Sequence, residues 1–338
     1  MHDTVILTAD EVRTLLPMAD CMAAMERTLA ALSSGNGANP LRWPFWLPDR
    51  RGLIGMMPGM SAEPEAVGLK AAAVYPGNHG TEWDAHQGVV LLFHPDNGVP
   101  VAIVDGSEIT AIRTAAVSGV ATRLLANEDV RVLGLIGAGV QARTHLEAMR
   151  VARPSLREVR VYSRSPENRA RFAERAREAH GIEILPCEDA ESVVRGADVV
   201  CTVTSSNVPV LLGDWLSPGT HVNAVGSSAK TAREVDVEAV VVSRFFVDRR
   251  ESTVNESRAF LAAKEKGRIG DDHILAEIGE VSAGRHPGRE AAAEITLFKS
   301  LGLAVEDLAA THLVMERALE RGVGARVPLG GRSEAAPS

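Results

Sequence analysis

The spacing Gly137-Ala138-Gly139-Val140-Gln141-Ala142 is that of a turn able to cradle a pyrophosphate. The first glycine permits the tight turn, the second lets backbone approach phosphate oxygens, and small Ala142 lets the next helix lie against the preceding strand. Amide N–H groups at that helix start then face the anion. Alone the pattern is a weak signal. Here an apolar, β-branched run from Val130 to Ile136 enters it, and an amphipathic stretch with Leu146 and Met149 leaves it. A dinucleotide site is the expectation; a glycine-rich turn in an ordinary α/β unit is the alternative.

Other residues suit anions. Lys70 stands inside the apolar run Gly68-Leu69-Lys70-Ala71-Ala72. A buried ammonium is costly unless an anion faces it, so Lys70 needs either a carboxylate of the chain or an anionic substrate. Arg42 lies in Pro40 to Pro48, an aromatic-rich stretch of a chain that is only 4% aromatic. It is either a solvated arginine or a functional one. Arg113 and Thr114 fall early in a helix over Asp105 to Leu125, and face an anion or, equally well, solvent. Two serine-rich loops, Thr204-Ser205-Ser206 and Val225-Gly226-Ser227-Ser228, follow expected strands, and such loops edge the ligand crevice of parallel sheets. After Tyr162 comes Ser163-Arg164-Ser165, where NAD sites usually place an acid for the ribose 2′-hydroxyl. An arginine with two hydroxyls suits a 2′-phosphate, so NADP(H) is favoured over NAD(H). Arg164 stacked on adenine would suit NAD.

The elements that must position these residues divide in two. In the N-terminal part, Ala9-Asp10-Glu11 opens a helix with Asp10 as cap. Met22, Met25, Leu29 and Leu32 form a helical core stripe ending at Gly35-Asn36-Gly37. The prolines around Arg42 indicate an edge strand or a loop. Strands are expected at Leu53 to Met57 and Val67 to Val74, with a loop from Gly59 to Glu65. His86 to His94 and Val99 to Val104 make a hairpin through Pro95-Asp96-Asn97-Gly98. After the glycine turn, strands at Glu158 to Tyr162, Ile182 to Leu185, Val199 to Val203, Thr220 to Ala224 and near Val240 to Val247 alternate with helices at Glu167 to His180 and Ala190 to Arg195. That is a doubly wound parallel sheet. Phe246 to Arg285 reads as charged and helical. A helix over Asp307 to Arg321 ends at Gly322 and is expected to return to the first domain. The domains expected are 1–124 with 304–330, 125–303, and a small polar, disordered tail at 331–338.

Composition bounds the rest. The 338 residues are 45% hydrophobic and 24% charged, with a formal net charge of −8, which argues against nucleic acid as the main partner. No run has the length of a membrane span, and no signal peptide opens the chain. Cys21, Cys187 and Cys201 are scattered, so neither disulfides nor a metal cluster is expected, and a cytoplasmic location is the default. The ten histidines show no ligand spacing.

Taken together these pieces resemble the ornithine cyclodeaminase/mu-crystallin family over nearly the whole chain. The carriers are GLKAAAVYPGN, VDGSEITAIRTAAVSGVATRLLA, GAGVQA, NAVGSS with REVD after it, and EITLFKSLGLAVEDLAA. The resemblance implies an α/β fold: a Rossmann domain plus an α+β domain, formed by the N-terminal part and the C-terminal helix, that binds substrate and a twofold partner as a homodimer. It implies an amino- or 2-imino-acid substrate and NAD(P). It brings Arg42, Lys70 and Arg113 to the substrate carboxylate and puts Ser300 with Thr114 in the cofactor set. Ornithine cyclodeaminases have an aspartate where this chain has Ser228, a glutamate where it has Gly55, and a lysine where it has Ala232, with Lys230 nearby. Ketimine reductases also carry the serine. The reading is therefore reduction of a C=N bond beside a carboxylate by NAD(P)H, with solvent or Lys70 supplying the proton and Ser228 able to bond the imine nitrogen. A cyclodeaminase or amino-acid dehydrogenase, and a non-catalytic nucleotide-binding protein, are the alternatives.

Overall fold

A computed structural model describes residues 3–78, 80–227 and 232–331. The chain begins with β1 (Thr4–Leu7), α1 (Ala9–Leu15) and α2 (Met18–Ser33), then β2 (Gly37–Ala38), β3 (Trp43–Trp46), β4 (Leu53–Ala62), β5 (Glu65–Val74), β6 (His86–Phe93) and β7 (Pro100–Asp105). The long helix α3 (Gly106–Leu125) leads to β8 (Val132–Ile136), α4 (Val140–Ala152), β9 (Glu158–Tyr162), α5 (Pro166–His180), β10 (Glu183–Pro186), α6 (Ala190–Val194), β11 (Val199–Thr202) and β12 (His221–Ala224). Then come α7 (Val237–Val241), β13 (Arg244–Val247), α8 (Arg250–Glu256), α9 (Arg258–Glu265), β14 (Ile274–Glu277), α10 (Ile278–Ser282), β15 (Thr296–Lys299), α11 (Ala304–Arg321) and β16 (Ala325–Val327). Two compact units result, Met1–Arg113 with Leu303–Ser338, and Thr114–Gly302. The boundary falls inside α3, because its second half bonds into the second unit: Ser118 Oγ to His145 Nε2 at 3.0 Å, and Thr122 Oγ1 to the Asn223 amide at 2.9 Å.

In the first unit the sheet runs β16-β1-β7-β6-β5-β4-β2, with β3 also on β4. β4, β5, β6 and β7 pair antiparallel. Gly98, at φ 70°, closes the expected β6–β7 hairpin. The methionine stripe of α2 is core, with Met18, Met22, Met25, Leu29 and Leu32 buried. The expected loop over Gly59 to Glu65 is instead ladder: pairing continues from Met57↔Lys70 to Ala62↔Glu65. Pro58 falls between β2 and β3, where β4 has no neighbour on that edge, and sheet edges are where proline is tolerated in a strand. Thr8, not Asp10, caps α1; starting the helix at Ala9 puts Glu11 at the third position, and the two side chains form a reciprocal box.

Among the described residues of the second unit, eight parallel strands run β10-β9-β8-β11-β12-β15-β13-β14. The chain leaves β8 toward one side and returns on the other at β11, so the carboxyl end of β8 is the switch point where doubly wound sheets bind ligands. Ile136, Val200, Val222, Phe245, Phe260 and Leu297 lie in its core. The valine run expected as strand near Val240 is helix α7, because Asp236 caps it by accepting from Ala239 N at 2.8 Å. Phe246 to Arg285 is not helical throughout: Phe246 and Val247 end β13, and β14 is a four-residue parallel strand too short to show a period. Among the described residues no helix is long and apolar enough to cross a membrane. The tail expected at 331–338 lies, apart from Gly331, outside the described residues.

Candidate active site

In the first unit Lys70 and Arg113 share one carboxylate. Asp307 Oδ2 is 2.7 Å from Lys70 Nζ, and Asp307 Oδ1 is 2.8 Å from Arg113 Nε. Arg113 also donates to Glu306 Oε2 at 2.6 Å. Lys70 is 3% exposed, Arg113 4%, and both acids 0%. The local sequence explains the meeting. A Cβ on Gly68 would run into the Leu91 carbonyl and stand 3.1 Å from Leu308 Cδ2, while one on Gly59 would stand 3.0 Å from Ala304 Cβ. Small residues on β4 and β5 thus let the start of α11 lie against the sheet. That brings Glu306 and Asp307, in its first helical turn, to Lys70 and Arg113. Acids in a first turn also suit the helix dipole.

Charge and burial oppose each other in this cluster. Burial pushes the Lys70 ammonium down to about 8; Asp307 pulls against it, while Arg113 and Arg42 push further down. Burial works to raise the Asp307 carboxyl, but Arg113 and Lys70 outweigh it and hold it below the ordinary range. Arg42, partly buried just before β3, therefore acts on Lys70 through its charge. Lys70 also donates to Thr110 Oγ1 at 3.3 Å. His86 shares this field: desolvation first, then Lys70 and Arg113, lower it. Gly55, where the resemblance puts a glutamate in cyclodeaminases, pairs with Ala72, and an added Cβ would be in ordinary contact with the Ala72 carbonyl oxygen at 3.8 Å.

In the second unit the glycine turn sits at the carboxyl end of β8. Gly137 has φ 123°, and a Cβ there would stand 2.6 Å from the Val203 carbonyl oxygen. Gly139 caps α4 with no side chain in the cap, and a Cβ on it would meet nothing within 4 Å. Ala138 and Gln141 are partly buried, Val140 is exposed, and Ala142 is buried in the first turn of α4. An uncapped helix start with open space before it suits a pyrophosphate. The hydroxyls of Thr114 and Ser300 are buried without a hydrogen-bond partner among the described residues. Orphaned buried hydroxyls are costly, and a polar ligand would satisfy them.

The remaining expected residues are placed as follows. Ser163 Oγ donates to the Ser165 carbonyl at 3.0 Å; Ser165 Oγ caps α5 and donates to Glu167 at 2.7 Å; Arg164 is exposed. Thr204 and Ser206 are partly buried and Ser205 is exposed beyond β11, while Val225 is buried beyond β12. Ser228 and Lys230 lie outside the described residues. Glu306 and Asp307 join the site from the first turn of α11, and their only signal in the sequence is an acidic helix start after Ala304-Val305.

The family model that describes the ornithine cyclodeaminase/mu-crystallin family matches residues 2–322. The chain belongs to the ornithine cyclodeaminase/mu-crystallin family. It is 40% identical to the ketimine reductase mu-crystallin of Mus musculus, over 92% of this chain and 96% of that one. Its fold is similar to that of the Δ1-pyrroline-2-carboxylate reductase of Thermococcus litoralis, solved with NADH and L-proline, at TM-score 0.93 and 38% identity over 96% of this chain and 100% of that one. An archaeal alanine dehydrogenase dimer with bound NAD is similar at TM-score 0.90 and 33% identity, over 97% and 100%.

Proposed function

We propose that the chain is an NAD(P)H-dependent reductase of 2-imino acids. The observation that carries the reading is the buried Lys70–Arg113 pair. Asp307 and Glu306 hold the pair in place, and the positive charge of Arg42 reaches Lys70, so the cluster presents a cationic field suited to a carboxylate. A 2-imino acid brings that carboxylate. Holding it fixes the C=N carbon, and fixing geometry supplies much of the rate of such a step. A nicotinamide dinucleotide supplies the hydride equivalent when bound, and the second unit would hold it at Gly137 to Ala142, Thr114 and Ser300. An ammonium titrating near 8 is protonated at neutral pH yet able to give up its proton, which suits Lys70 to protonate the nitrogen. Reduction rather than cyclisation is favoured because Gly55 offers no carboxylate for a distal amine.

On the coenzyme, Arg164 and the absence of an acid at 163–165 support NADPH, whereas the solved relatives above carry NADH or NAD. The proposal is that both are used, with Arg164 setting the ratio. A homodimer is proposed through the outer face of the first sheet. Strand register puts Trp43, Phe45, Ile54, Met56, Ala71 and Val89 on the face opposite Lys70, and Trp43, Phe45 and Val89 are exposed there.

The test is oxidation of NADH and NADPH with five- and six-membered cyclic ketimine carboxylates, with pyruvate plus an amine, and with iminosuccinate. Turnover of at least one is expected. Conversion of ornithine to proline without net cofactor change would overturn the reading.

A further inference from the structure

The segment that follows β12 is gripped by buried charge from both sides. Glu234 is 1% exposed. Its Oε1 accepts from Thr204 N at 2.6 Å and Thr204 Oγ1 at 2.7 Å; its Oε2 accepts from Thr202 Oγ1 at 2.8 Å and Gly226 N at 2.5 Å. One carboxylate therefore ties the carboxyl ends of β11 and β12 together, and all four donors are uncharged. Lys299, also 1% exposed, donates from Nζ to the carbonyls of Ala224 at 3.1 Å, Ser227 at 2.7 Å and Ser300 at 3.1 Å. Residues 224–227 thus have an anion on an amide and a cation on two carbonyls. Gly226 has no room for a side chain: a Cβ would collide with the Thr204 carbonyl and stand 2.5 Å from Glu234 Oε1.

Buried charge is costly unless its lone pairs and protons are used: Glu234 is met by two amides and two hydroxyls, and Lys299 by three carbonyls and the charge of buried Asp248. What the arrangement fixes is not a strand but two short loops, 203–206 and 225–227, at the ligand end of the sheet. Loops held rigid before a ligand arrives lose less freedom on binding it. We propose that Glu234 and Lys299 are positioning residues that preform these two loops for the dinucleotide. The proposal rests on the dinucleotide reading above.

The experiment compares full-length parent, Glu234→Gln and Lys299→Met. Affinity for NADH and NADPH is read by quenching of tryptophan fluorescence well below the melting temperature. Amide exchange at Thr204 and Gly226 is read without ligand. For Glu234→Gln, exchange should accelerate, Kd for the better coenzyme should rise at least tenfold, and KM for the imino acid should stay within twofold. Lys299→Met should raise Kd in the same direction. A lowered melting temperature with Kd within twofold of the parent would show a purely structural role and overturn the proposal. Should Glu234→Gln not fold, Thr204→Val removes one bond of the grip; a three- to tenfold rise in Kd supports the proposal and an unchanged Kd overturns it. If the parent binds neither coenzyme, the dinucleotide reading itself fails, and the assigned role with it.

Discussion

Lys70 Nζ lies 2.7 Å from Asp307 Oδ2, and neither side chain is more than 4% exposed. The ammonium titrates near 8 rather than 10.5 because burial outweighs its counter-ion. A reaction that needs Lys70 charged is supported below that value and fails above it. For the parent, kcat/KM should fall as pH rises through about 8, with Asp307, Arg113 and Arg42 as the charged groups acting on Lys70. Lys70→Met should lower kcat/KM by about 10²–10⁴-fold while sparing coenzyme affinity. A profile flat to pH 10, or an active Lys70→Met, removes Lys70 from the chemistry.

Asp307→Asn tests the other half of the pair. It removes the carboxylate that Lys70 and Arg113 share. Removing one partner of a buried ion pair costs about 3–5 kcal/mol, so the melting temperature should fall clearly. Asp307 raises the Lys70 value, so its loss should move the activity inflection to lower pH. An inflection that stays in place would separate it from Lys70.

How far the site was legible in the sequence can be argued from these same residues. A lysine in an apolar strand announced that an anion must face it, and one does. Which anion was hidden, because Arg113 and Asp307 are 194 positions apart and an acidic pair opening a helix looks like a partner for its dipole. The strand–turn–helix at Gly137 was legible because three local signals agree. Pro58 and Gly59 misled, since their reasons for being in a strand, a gap at the sheet edge and the approach of Ala304, are tertiary. The valines around Val240 misled because one cap, Asp236, overrode strand propensity.

Arg164 is exposed at the end of β9 and next to Ser165, whose hydroxyl already serves Glu167. If it holds a 2′-phosphate, Arg164→Glu should lower kcat/KM with NADPH by about 10- to 100-fold, the worth of a charged hydrogen bond, and change NADH little. Equal effects on both coenzymes would assign Arg164 to adenine stacking instead.

The outer sheet face predicts a parent mass by light scattering near twice 35.9 kDa. Val89→Glu places a carboxylate in that face, 39% exposed in the single chain. It should shift the protein to monomer with its helical circular dichroism retained. A parent that is monomeric at all concentrations removes the homodimer.

Gly137 and Gly139 make a paired test, because the two glycines of the turn are needed for different reasons. At Gly137 the backbone has φ 123° and the Val203 carbonyl leaves no room for a Cβ. Gly137→Ala should therefore destabilise the fold by about 1–3 kcal/mol, whatever it does to binding. At Gly139 φ is −97° and a Cβ enters open space. Gly139→Ala should leave stability within about 0.5 kcal/mol, yet weaken coenzyme binding at least tenfold, since the space it fills is where a pyrophosphate approaches the α4 start. Thermal melts and fluorescence titration of the two variants side by side separate these outcomes. Undiminished coenzyme affinity in Gly139→Ala would mean that the open space before α4 is not the phosphate site.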